Sequence, residues 1–133
     1  MSLSKIKTIK LKISTNPKGD VLKYLTRKNK YFKKFGEVYF TEIKKNKVKG
    51  WNFHKKCWCL LAVPHGKVKF TFAKNINSKK KTIIIGKKNY SIIVVPPRIW
   101  FNFMSIKKIS LVVNTLNHVH NKNETLKKPV KQN

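Results

Sequence analysis

Apolar and polar positions alternate with a period of two along much of this chain, and no stretch carries a helical stripe of any length. Ile9, Leu11 and Ile13 alternate with Lys10 and Lys12, which predicts a half-buried strand with a solvated lysine face. Asn16-Pro17-Lys18-Gly19-Asp20 is turn chemistry, residues 21–25 give a second short strand, and a basic loop follows over 26–34. Residues 38–43 are rich in β-branched and aromatic side chains, and Lys44-Lys45-Asn46-Lys47 turns the chain into a dense stretch from Lys49 to Val63. That stretch passes a histidine and two cysteines and ends in an apolar run closed by Pro64-His65-Gly66.

Strong alternation returns over residues 68–73. Residues 82–85 and 90–95 flank Gly86-Lys87-Lys88-Asn89 and predict a hairpin, ended by Pro96-Pro97 because proline cannot donate to a ladder. Residues 100–103 and 110–113 give the last strands, and the polar segment from Asn121 is expected to fray. Short strands separated by turn signals predict an all-β sandwich or closed barrel. With 133 residues there is material for one core, so the expectation is a single domain over 1–120 and a polar tail over 121–133.

Charge changes the picture. The chain carries 32 basic and 4 acidic residues, a net charge of +28, which would bind nucleic acid or another polyanion by counterion release. All but two of the basic residues are lysines, however, and Asn and Ile are also abundant. Base-reading proteins lean on arginine for its planar fork, so compositional drift is the favoured reading, with nonspecific polyanion binding at low salt expected either way. Cys57 and Cys59 are too few for a disulfide framework and fit a reducing, cytoplasmic setting. No apolar run approaches the length of a membrane span.

Few residues can carry chemistry. On one regular strand His54 would face away from Cys57 and Cys59, which argues against a metal site and for buried structural cysteines; no metal is expected. Paired carboxylates are nearly excluded, because Asp20, Glu37, Glu42 and Glu124 are the whole supply. Acid–base work therefore falls to His, Tyr or Lys. Trp51, Phe53, Trp58, Trp100, Phe101 and Phe103 flank the polar residues and, beside Lys49, His54 and Arg98, suggest a pocket that stacks a base and holds phosphates.

The order Gly36-Glu37-Val38-Tyr39-Phe40, Lys49-Gly50-Trp51-x-x-His54-Lys55-Lys56, then Leu61-Ala62-Val63-Pro64-x-Gly66-Lys67-Val68-Lys69 resembles the short cupin-fold relatives of the dTDP-4-dehydrorhamnose 3,5-epimerases. Gly86-x-x-Asn89-Tyr90, Pro96-Pro97-x-x-Trp100-x-x-Phe103, Asn114, His120 and Glu124 extend the resemblance over roughly residues 17–125. A looser similarity, around His54-Lys55-Lys56, is to the dTDP-sugar 3,4-ketoisomerases.

The resemblance implies a cupin-type jelly roll, a double-stranded β-helix that is usually a homodimer and binds a dTDP-4-keto-sugar without metal or organic cofactor. Lys49 falls where the family contacts the diphosphate. Asn52 occupies the position of the epimerases' catalytic histidine, and an amide cannot accept a proton near neutral pH. The family's proton-donating tyrosine falls on or near Val113, and the chain ends before the segment carrying the aspartate that orients the histidine. Arg98 and Phe101 stand where the short relatives have glycine and then histidine.

His54 matches a pocket-facing histidine and is the remaining candidate base. The ligand-binding set expected from residues and resemblance together is Tyr39, Lys49, Trp51, Trp58, Arg98 and Trp100, with a nucleotide-diphosphate sugar as partner and no membrane. The expected function is a sugar-nucleotide epimerase- or isomerase-like cupin whose epimerase activity is in doubt. The rival readings are a non-catalytic cupin and a basic β-barrel that binds nucleic acid.

Overall fold

The computed structural model describes residues 2–132. After a 3-10 turn over Leu3–Lys5 the described residues form twelve strands: β1 (Lys7–Lys10), β2 (Ile13–Ser14), β3 (Val21–Leu22), β4 (Glu37–Lys44), β5 (Val48–His54), β6 (Cys59–His65), β7 (Lys67–Ala73), β8 (Lys80–Gly86), β9 (Ser91–Val95), β10 (Trp100–Ser105), β11 (Ile109–Leu116) and β12 (Thr125–Lys127). Two antiparallel five-stranded sheets result, ordered β1-β9-β6-β11-β4 and β12-β5-β10-β7-β8, with β2 and β3 as a small separate ribbon. Consecutive strands repeatedly switch sheets, as a jelly roll requires. The all-β expectation holds.

Alternation decides the core. Along β7 the side chains of Val68, Phe70 and Phe72 point between the sheets and are fully buried, while Lys67, Lys69 and Thr71 point away. They pack with Ile43, Leu61, Val63, Ile85, Phe101, Phe103 and Val112. Burying each large side chain contributes about 1.5–3 kcal/mol. β9 is buried at every position, and so are the first five residues of β6. The outer face of their sheet is covered by Ile9, Leu11, Leu22, Tyr24, Tyr31 and Phe32 from the N-terminal segment. Tyr24 pins that cover, its hydroxyl lying 2.7 Å from both the Leu60 carbonyl and Thr115 Oγ1.

Three sequence expectations change. The first strand breaks into β1 and β2, with Leu11 and Lys12 between them. The stretch from Lys49 to Val63 is two strands, β5 and β6, in different sheets with a turn between them. Residues 82–85 and 90–95 do not form a hairpin: β8 pairs with β7 at a sheet edge, whereas β9 lies between β1 and β6. Burial is the reason, because a strand apolar on both faces needs neighbours and cover that an edge does not provide.

The described part of the polar tail lies against β5. β12 pairs with β5, Trp51 and Lys128 exchange backbone hydrogen bonds of 2.9 and 3.0 Å, and the Gln132 amide clasps the backbone of Val48. Backbone pairing needs no apolar side chains, so composition gave no sign of it.

Candidate functional site between the two sheets

A cavity of about 450 Å³ opens between the sheets. One wall is β5 and β10, with Lys49, Asn52, His54, Phe101 and Phe103; the facing wall is β4 and β11, with Tyr39, Thr41, Val112 and Asn114. Lys127 and Lys128 border it from the tail.

An irregularity in β5 sets which side chains meet. Phe101 pairs with Asn52 but Asn102 pairs with Gly50, leaving Trp51 as an extra residue, a β-bulge. Strict alternation would put Lys49 on the opposite face from Asn52 and His54. The bulge shifts the parity by one, so all three reach the same cavity. Gly50 makes this possible: its φ is 113°, and a Cβ there would lie 2.7 Å from the Phe101 carbonyl oxygen and 2.9 Å from Asn102 Cα.

His54 ends β5, is buried, and holds its ring near that of Phe101, with centroids 6.3 Å apart. Its Nδ1 lies 2.8 Å from Glu124 Oε1. A carboxylate can only accept, so Nδ1–H donates to it, and Nε2 is the ring nitrogen left unengaged by Glu124. Thr125 Oγ1 donates to the same carboxylate oxygen at 3.3 Å, while Oε2 accepts from the backbone N–H groups of Lys56 (2.8 Å) and Cys57 (3.0 Å). Burial pushes the Glu124 carboxyl up, but the Lys56 N–H, the His54 ring and the Cys57 N–H outweigh it and hold the group below its ordinary value.

The turn after β5 also brings Cys57 to this pair. Ligand atoms of His54, Cys57 and Glu124 all lie within 4.8 Å of one another. His54 and the cysteines do not lie on one continuous strand, because a turn over 55–58 separates β5 from β6, so strand parity does not hold them apart. Thiolate, imidazole and carboxylate are zinc-type donors. Here, though, each Glu124 oxygen is already engaged by the chain itself, so the carboxylate's structural work is to hold His54 and the turn. Cys57 and Cys59 are buried free thiols in the main core. A hydrogen bond from Cys59 lowers the Cys57 thiol, and the same bond together with burial raises Cys59.

Tyr39 faces this wall from β4, its hydroxyl 3.4 Å from Asn114 Nδ2. Burial first, and the nearby Cys59 second, push its phenol up to about 12. It therefore stays protonated through the neutral range.

Of the residues nominated from the sequence, Tyr39, Lys49, Trp51, Asn52 and His54 line the cavity. Trp58, Arg98 and Trp100 do not. Trp58 precedes β6 and packs under the N-terminal cover with Leu60 and Phe32. Trp100 packs against Trp51 and Ala73 in a third cluster, with Phe53 tilted on it at 4.9 Å. Arg98 is exposed on the loop before β10, its guanidinium over the Phe53 ring at 5.7 Å. Trp51 and Trp100 are 7% and 8% exposed, so neither offers an open face for stacking nucleic-acid bases. Among the described residues no helix is long and apolar enough to cross a membrane.

Sequence reasoning missed Glu124, Asn114, Thr41, Lys127 and Lys128 as site residues. Glu124 did leave a signal. It is one of four acidic residues in a chain of +28, placed in a lysine-rich tail that had no evident use for it.

No curated protein matches the chain by sequence. Among solved structures, a dTDP sugar isomerase from Desulfovibrio desulfuricans G20 is 26% identical, with a TM-score of 0.88 over 94% of this chain and 84% of that one. QdtA, a sugar 3,4-ketoisomerase from Thermoanaerobacterium thermosaccharolyticum solved with TDP, is 17% identical, with a TM-score of 0.79 over 94% and 89%. The 3,5-epimerase RmlC from Legionella pneumophila Philadelphia 1, solved with dTDP-4-keto-L-rhamnose, is 14% identical, with a TM-score of 0.80 over 96% and 74%. The last two likenesses speak to the fold alone. The family model described as "FdtA: WxcM-like, C-terminal" matches residues 4–130, nearly the whole chain and every strand that builds the cavity, and the protein belongs to that family of cupin-like proteins.

Proposed function

We propose that this protein binds a nucleotide-diphosphate-linked keto-sugar between its sheets and isomerises it by proton transfer at His54. The observation that carries the reading is the His54–Glu124 pair in the cavity wall, in which Glu124 takes Nδ1 and leaves Nε2 as the nitrogen that can act as base. Support comes from neighbours crystallised with TDP and with TDP-4-keto-6-deoxyglucose. Lys49, Lys127 and Lys128 supply positive charge at the cavity for a diphosphate.

In this mechanism His54 removes the proton on the carbon next to the keto group. The electron pair shifts to the carbonyl oxygen, which takes up a proton and gives an enediol. His54 then returns its proton to the former carbonyl carbon while the neighbouring hydroxyl loses its own, so the carbonyl moves by one position. Tyr39 faces the base and, being protonated, can hydrogen-bond the developing oxyanion. One base is enough for this transfer. Asn52, which cannot take a proton, argues against a scheme that needs a second base at that position.

The test is incubation with dTDP-4-keto-6-deoxyglucose in deuterated water, followed by proton NMR. Conversion with solvent deuterium entering the sugar is expected from the wild type and is lost in His54→Asn, which still binds dTDP. Lys49→Ala should weaken dTDP binding in calorimetry at moderate salt. No dTDP binding by the wild type, or full conversion by His54→Asn, would overturn the reading. Binding without conversion would establish a non-catalytic cupin.

A further inference from the structure

Asn114 is 4% exposed and lines the cavity from β11, yet its Oδ1 has no hydrogen-bond partner in the described structure. The other end of its carboxamide is used, with Nδ2 lying 3.4 Å from Tyr39 Oη. A buried acceptor left unpaired is costly, and such groups in folded proteins call for a partner that completes them. From its position we infer that Asn114 Oδ1 accepts a hydrogen bond from a hydroxyl of the ligand's hexose and selects for that hydroxyl. The inference rests on the reading of the cavity as a nucleotide-sugar site.

Position along the barrel identifies the hexose as the donor. Lys49 lies at the level of Thr41, which pairs with Val112 on β11. Asn114 lies two residues further along β11, paired with Tyr39 and with Leu61. β6 begins at Cys59, directly after the turn that follows His54, and Cys59 pairs with Leu116, only two residues along β11 from Asn114. Asn114 thus belongs to the His54 end of the cavity, away from Lys49. A ligand with its diphosphate on the lysines places its sugar at that end. Phosphate oxygens carry no protons to give at neutral pH, whereas a hexose brings several hydroxyl donors. The facing Tyr39 hydroxyl, braced by Asn114 Nδ2, limits which of them reaches Oδ1.

Calorimetry with dTDP and dTDP-glucose on wild type and Asn114→Leu tests this. Leucine has similar bulk and no acceptor, so the unliganded variant should melt no lower than the wild type, because an unpaired polar group has been removed. Affinity for dTDP should stay within about twofold, while affinity for dTDP-glucose should fall about ten- to a hundredfold. A second measurement needs no variant: among dTDP-glucose analogues each lacking one hexose hydroxyl, one should bind the wild type at least about tenfold more weakly than its siblings. Equal losses for both ligands in Asn114→Leu, no loss for either, or a flat response across the deoxy series would overturn the assignment and leave the proposed function standing. Failure of the wild type to bind dTDP at all would instead overturn that function, and this inference with it.

Discussion

Replacing Glu124 by glutamine separates His54, the proposed base, from the carboxylate that holds it while changing the shape of the side chain very little. In the wild type, Oε1 accepts from His54 Nδ1 at 2.8 Å and Oε2 accepts from the N–H groups of Lys56 and Cys57 at 2.8 and 3.0 Å. A glutamine can keep only one side of this. Backbone N–H groups cannot become acceptors, so the amide oxygen stays with Lys56 and Cys57, and the amide NH₂ turns to His54. Nδ1 must then accept, which moves the ring proton to Nε2, where the base's lone pair is needed. Loss of a positioned general base costs about 10²–10⁴-fold in rate, and kcat should fall by at least the lower figure. Losing the charge on two N–H bonds costs about 1–2 kcal/mol in total. For a chain of this size that lowers Tm by roughly 3–8 °C. Long-range nitrogen–proton NMR of the His54 ring reads the tautomer directly, beside the turnover assay. Undiminished turnover, or lost turnover with the proton still on Nδ1, would refute the orienting role.

Three further outcomes are expected. Glu124 is held below its ordinary pKa, so its contribution to stability is present above the unfolded carboxylate value near 4.5 and is lost as pH falls through the lower folded value. Acid unfolding of Glu124→Gln should lack that arm, and identical acid profiles would contradict it. Tyr24 and Tyr39 behave in the opposite sense: burial raises both phenols to about 12, so the stability they lend is full below pH 10 and fades as pH climbs toward 12, measurable by alkaline denaturation. Gly50→Ala should cost about 1–3 kcal/mol in urea unfolding, given its φ of 113° and a Cβ 2.7 Å from the Phe101 carbonyl. It should also weaken dTDP binding, since the bulge aims Lys49 and Asn52; an Ala variant with unchanged stability and binding would refute both effects.

Local alternation determined the strands. A period of two survives any reordering of neighbours, so β4, β7, β10 and β11 were legible from the chain, as was the all-β class. The order of motifs around Lys49, His54 and Gly66 pointed to the family that the whole-chain match establishes. Pairing was not legible. Nothing between residues 86 and 90 records that β8 and β9 enter different sheets, because that choice depends on which faces other segments cover. The aromatic residues misled for a related reason: Trp58 and Trp100 have the chemistry of a stacking platform, but burial against Phe32 and Ala73 takes their faces.

The site divides along the same line. By itself the sequence placed a histidine near a lysine and a glycine, and showed that an amide stands at Asn52. Only the tertiary structure brings these residues to one cavity. One extra residue at the β5 bulge reverses side-chain parity and turns Lys49 into the same cavity as Asn52 and His54. A backbone-paired tail then carries Glu124 back across 70 residues to His54. Parity and partner are properties of how strands lie side by side, and hydrogen bonds between backbones leave no trace in the side chains that a sequence records.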